Sequence, residues 1–131
     1  MTFTGRPIAA LLPLRREEGQ ATVEFALLLP LVLLAATAVV QVGLVARDQI
    51  AVVHAAREAA RAAAVDPAPA RAVRAAREVV PHAEVVVGAR PPVGELIRVE
   101  VEARSITDLP LVGALLPDPL LRADASMRVE R

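Results

Sequence analysis

Few residues of this 131-residue chain have the type and setting that chemistry needs. The two histidines, His54 and His82, are isolated from each other and form no metal-ligand spacing. Cysteine is absent, which removes disulfides, thiolate metal sites and cysteine nucleophiles. Ser105 and Ser126 lack a Gly-x-Ser-x-Gly setting, and there is no Gly-rich phosphate loop. The expectation is a protein that is not an enzyme, with no catalytic residue, metal or cofactor. Glu24 is the exception to this quiet inventory. It stands at the lip of a run, Phe25 to Ala46, that holds no charged residue. A carboxylate at the centre of a spanning helix costs about 2.5–3.5 kcal/mol, and less near the interface. On position alone two readings stand: a solvated acid at the headgroups, or an acid that has a partner. Gly19 lies five residues earlier, just after Arg15, Arg16, Glu17 and Glu18. Alone it reads as a flexible start to a helix.

The element that positions Glu24 is read from the apolar run itself. Its 22 residues cover about 33 Å as a helix, enough for a hydrocarbon core of about 30 Å. A helix this apolar all round would need a much larger protein to bury it. A transmembrane helix over residues 20–46 is therefore expected. Composition agrees: 55% of the chain is hydrophobic, with no Trp or Tyr and only Phe3 and Phe25 as aromatics. The formal net charge is zero, which argues against nucleic acid as a partner. Arg6, Arg15 and Arg16 precede the run, while Arg47, Arg57 and Arg61 follow it, so the positive-inside rule favours a cytoplasmic N-terminus only slightly. Pro30 falls inside the run, where a membrane helix tolerates a kink.

The window Gly19-Gln20-Ala21-Thr22-Val23-Glu24-Phe25 resembles the cleavage window of type IV prepilins and pseudopilins. The resemblance implies that a prepilin peptidase cuts after Gly19 on the cytoplasmic side. It also implies that Glu24, then fifth in the mature chain, pairs with the N-terminal amine of a neighbouring subunit. Such a pair would offset the cost of a charge in an apolar bundle and set subunit register.

Beyond the run the helix pattern continues without a breaker as far as Asp66-Pro67-Ala68-Pro69. One helix from about Ala21 to Val65 would be about 65 Å long. Its upper half contains AAREAAR, residues 55–61. Alone, that stretch is an amphipathic helix with a solvated charge stripe. The ordered combination of prepilin window, apolar run with Pro30, and AAREAAR resembles the TadE-like family, minor pilins or pseudopilins of tight-adherence (Flp pilus) systems. The likeness is best over Gly19–Ala64, with a weaker echo at Ala125–Glu130. It implies a structural part in pilus assembly, with Glu24, Pro30, Arg57, Glu58 and Arg61 as assembly and helix-packing residues. The implied partners are membrane lipid, a prepilin peptidase and other pilins of the same system.

The remaining third reads as a small domain. Ala70–Val80 is a second short helix with Arg71, Arg74 and Arg77 on one stripe, solvated or turned to anionic headgroups. Glu84–Val87 is a short strand, and Gly88–Gly94 a turn. Ile97, Val99, Val101 and Ala103 alternate with charged residues, and so do Ala123, Ala125, Met127 and Val129. Three such strands need a cover, and the Ala-rich face of Gln49–Ala64 is the candidate. The fold class expected is α+β and pilin-like: a long N-terminal transmembrane helix, a short second helix and an antiparallel sheet of about three strands. Leu109, Leu111, Val112, Leu115 and Leu116 exceed what the loop before the last strand needs. They fill the core, rest on the bilayer or form a subunit contact.

The organisation expected is a cytoplasmic leader over 1–19, a span over 20–46 and an extracytoplasmic domain over 47–131. This places the chain in the bacterial inner membrane, as a single pass, or in a surface filament. Two other readings fit the residues. One is an uncleaved single-pass anchor that carries an interaction domain. The other is a secreted protein cut at Ala36-Thr37-Ala38, an A-x-A-like site. Mature chains starting at Gln20, at Met1 or at Val39 separate the three.

Overall fold

The computed structural model describes residues 17–106 and 118–130. Arg6, Arg15, Arg16 and the five aliphatic residues of the 109–116 stretch lie outside the described residues. By internal contacts the chain divides into two compact units, Met1–Ala35 and Ala36–Arg131.

One helix, α1 (Glu17–Val65), enters both units and passes through Pro30. It begins four residues before the expected Ala21, so the Gly19–Gln20 bond is already helical. Good helix formers carry it, since Ala and Leu dominate the 49 residues. Within the first unit its apolar side chains are uncovered: Phe25, Leu27, Leu31 and Val32 are all exposed. The most apolar 18-residue stretch has a mean hydropathy of 2.4, and none of it is buried. Removing one such side chain from water is worth about 1.5–3 kcal/mol, so this length of exposed Leu and Val demands lipid or protein around it. The helix is long and apolar enough to cross a membrane, and among the described residues none covers its most apolar stretch, unlike the helix of a soluble core.

The second unit is an α+β domain. Here α1 ends at Val65, with the Asp66 amide bonded to the Ala62 carbonyl at 2.9 Å. Asp66 Oδ1 accepts from the Ala68 amide at 2.8 Å, and Pro67 and Pro69 forbid continuation of α1. Pro69 opens α2 (Pro69–Val79), at a position where its missing donor costs nothing. Helix α2 buries Ala72 and Ala76 and exposes its arginines. It leads to a three-stranded antiparallel sheet of β1 (Glu84–Val87), β2 (Leu96–Arg104) and β3 (Leu120–Arg128), in spatial order β1-β2-β3.

Each long strand has one inward face. In β2 that face is Ile97, Val99, Val101 and Ala103, and in β3 Leu121, Ala123, Ala125 and Met127. Register pairs these faces directly, Val99 with Ala125 and Val101 with Ala123. They share one core cluster with Val52, Ala55, Ala56, Ala59, Ala60, Ala63 and Ala64 of α1. The expected Ala-rich cover over the strands is what forms. Its largest fully buried side chains are valines: Val52, Val99, Val101 and Val129. The outer face of the sheet is charged and paired: Glu102 with its cross-strand neighbour Arg122 at 2.8 Å, and Arg98 with the diagonal Asp124 at 3.1 Å.

Candidate processing and assembly site

Gly19, Gln20, Glu24 and Phe25 lie in the first unit, on the opening turns of α1. All four are exposed. Helical spacing of four places Gln20 and Glu24 on one face, and Gln20 Nε2 donates to Glu24 Oε1 at 3.2 Å. A Cβ added at Gly19 would meet nothing within 4 Å. The fold therefore gives no steric reason for glycine there, in a helical position where it costs about 1 kcal/mol relative to alanine. Pro30 lies farther along the same uncovered helix, one residue before Leu31.

Arg57, Glu58 and Arg61 belong to the second unit, on the part of α1 whose inner face is Ala55, Ala56, Ala59 and Ala60. All three are exposed. Glu58 and Arg61 line a cleft of about 780 Å³ between α1 and α2, with Arg71, Arg74 and Glu78 on the α2 side. The arginine stripe of α2 is thereby divided: Arg71 and Arg74 face the cleft, whereas Arg77 donates to the Ala83 carbonyl at 3.4 Å. His54, on α1, and His82, in the turn after α2, are both exposed.

Sequence reasoning missed the contacts that tie α1 to the strands. Arg90, in the β1–β2 turn, reaches the C-terminus of α1. Its guanidinium donates to the carbonyls of Ala63, of Ala64 at 3.2 Å and of Asp66 at 3.2 Å. Those carbonyls have no partner within the helix, and a cation there also meets the negative end of the helix dipole. The Glu130 amide bonds the Ala64 carbonyl at 3.1 Å. Lower on α1, buried Ser105 donates through Oγ to Asp48 Oδ2 at 2.5 Å, and Gln49 Nε2 donates to the Arg122 carbonyl at 3.1 Å. An arginine inside a Pro/Gly-rich turn was the signal for the first contact. Its target, however, is fixed only by the hairpin's path over α1.

Together these features define a class: a chain with a membrane-length N-terminal helix that continues as the backbone of a small α+β domain. The family model described as TadE-like protein matches residues 19–61, from the glycine of the prepilin-like window to the last arginine of AAREAAR. The resemblance read from those residues is thus matched over the same segment. No curated protein and no solved structure matches the chain.

Proposed function

We propose that the protein is a TadE-like pseudopilin or minor pilin. In this reading a prepilin peptidase processes it, and it acts as a structural rather than catalytic part of a tight-adherence pilus or secretion machine. The observation that carries the reading is the match that opens on Gly19 and includes Glu24, exposed at the foot of an uncovered apolar helix. Hydrolysis adds water across the Gly19–Gln20 amide, leaving a carboxylate on Gly19 and an amine on Gln20. In a filament the Glu24 carboxylate pairs with the Gln20 amine of a neighbouring mature subunit and fixes its axial register. The leader lies in the cytoplasm and the α+β domain outside the membrane. Prepilin peptidase, other pilins of the system and membrane lipid are its partners.

One observation favours a second reading. Because α1 begins at Glu17, the bond to be cut lies within a helix and must unwind to enter a peptidase. A chain left whole would be a single-pass anchor with the same outer domain. Intact mass of the chain after co-expression with the cognate peptidase decides between them. A mature start at Gln20 is expected. A start at Met1 would establish the uncut anchor, and a start at Val39 a secreted protein.

A further inference from the structure

The cleft between α1 and α2 is not accounted for by processing or by the membrane helix. Its walls carry Arg61 from one helix and Arg71 and Arg74 from the other, with Glu58 and Glu78 also lining it and Asp66 where the helices join. Of the acids, Asp66 is already engaged: Oδ1 holds the Ala68 amide at 2.8 Å, and Oδ2 lies 3.9 Å from Arg71. Among the described residues, Arg61 and Arg74 make no ion pair and no hydrogen bond.

Chain direction orders these charges. Helix α1 runs toward the junction and α2 runs away from it, so Arg61 and Arg71 lie nearer the junction than Glu58 and Glu78. One fixed dipole adds to the positive half, and the opposing one is cancelled. The N-terminus of α2 opens beside the junction, and Arg90 neutralises the negative C-terminus of α1. The cleft is therefore positive at its closed end and negative at its lip. Small apolar residues, Ala62, Val65 and Ala75, also line it.

We infer that this cleft docks an acidic segment of a partner protein, with Arg61 and Arg74 taking its carboxylates from opposite walls. Arginine suits this task, since its planar fork matches a carboxylate and gives up little hydration on pairing. The inference stands apart from leader processing, so cleavage at Gly19 and binding at the cleft can fail separately.

The test titrates the full chain in detergent with an octaglutamate peptide. Inorganic phosphate and phosphatidylglycerol vesicles serve as alternative anions. Octaglutamate should bind the wild type. Binding should weaken about tenfold or more in Arg61→Gln/Arg74→Gln, the size expected when one side of an interfacial charge pair is removed. Arg104→Gln, exposed on the sheet, should leave affinity unchanged, and Glu58→Gln/Glu78→Gln should raise it by relieving repulsion at the lip. The wild-type thermal midpoint confirms folding of each variant. Equal binding by wild type and the Arg61/Arg74 variant overturns the proposal. So does an equal loss in Arg104→Gln, or binding of vesicles or phosphate but not of the peptide.

Discussion

At Glu24, a carboxylate meets an apolar helix that no other described residue covers, and the Gln20 amide is the group that holds it within one subunit. A neighbour's amine would be a better partner, because charge-assisted bonds are about twice as strong as neutral ones. Glu24→Ala should therefore leave processing intact but impair assembly, since removing one member of a buried ion pair costs about 3–5 kcal/mol. Comparing processed subunit in membranes with subunit in sheared filaments measures this; normal assembly would refute the role. Gly19 behaves oppositely. The fold leaves room for a side chain there, so Gly19→Phe should leave the domain's thermal midpoint unchanged and abolish the start at Gln20. Gly88 is a glycine of another kind. A Cβ there would lie 2.9 Å from the Arg98 backbone oxygen, which also accepts the Gly88 amide bond. Gly88→Ala should cost about 1–3 kcal/mol in urea denaturation, as overpacking against unyielding backbone does.

Helix α1 has two parts of different character. Its lower part has uncovered Leu and Val, while its upper part turns alanines inward and charges outward. The inner alanines are fully buried in the core cluster, so that face tolerates little growth. Ala59→Leu should destabilise the domain by about 1–3 kcal/mol, whereas the same change at exposed Ala46 should have almost no effect on it. The end of α1 depends on Arg90. Arg90→Met keeps much of the stem but leaves carbonyls of the last turn without their donor, and hydrogen bonds to a charged group are worth about 1.5–3 kcal/mol. A loss in that range is expected, with hydrogen exchange accelerating first at the last turn of α1. The ion pair of exposed Arg122 with Glu102 should matter far less, within about 1 kcal/mol.

For the whole molecule, the proposed orientation has a direct reporter. The chain lacks cysteine, so Ser126→Cys, on the exposed face of β3, gives one thiol in the outer domain. A membrane-impermeant maleimide should label it in cells without permeabilisation. Labelling only after permeabilisation would place the domain in the cytoplasm.

Much of this organisation was legible in the chain alone, because it rests on local and periodic physics. The 22-residue run without a charge already specifies a helix long and apolar enough to cross a membrane, because length and hydropathy alone set that property. Period-two alternation in β2 and β3 and the Pro-broken end of α1 follow from side-chain direction and a missing donor. The ordered combination of the Gly19–Phe25 window, the apolar run with Pro30 and AAREAAR suggested a TadE-like resemblance before any fold was known, and the family match over 19–61 falls on the same residues. Tertiary structure alone decided which distant groups meet. Arg90 is 27 residues from Ala63, and Ser105 is 57 from Asp48, and no local rule pairs them. The cleft also depends on α2 folding back along α1, which brings arginines from two separate helices to one space. Periodicity tells which face of an element is buried, but the partner across that face is set only by the path of the whole chain.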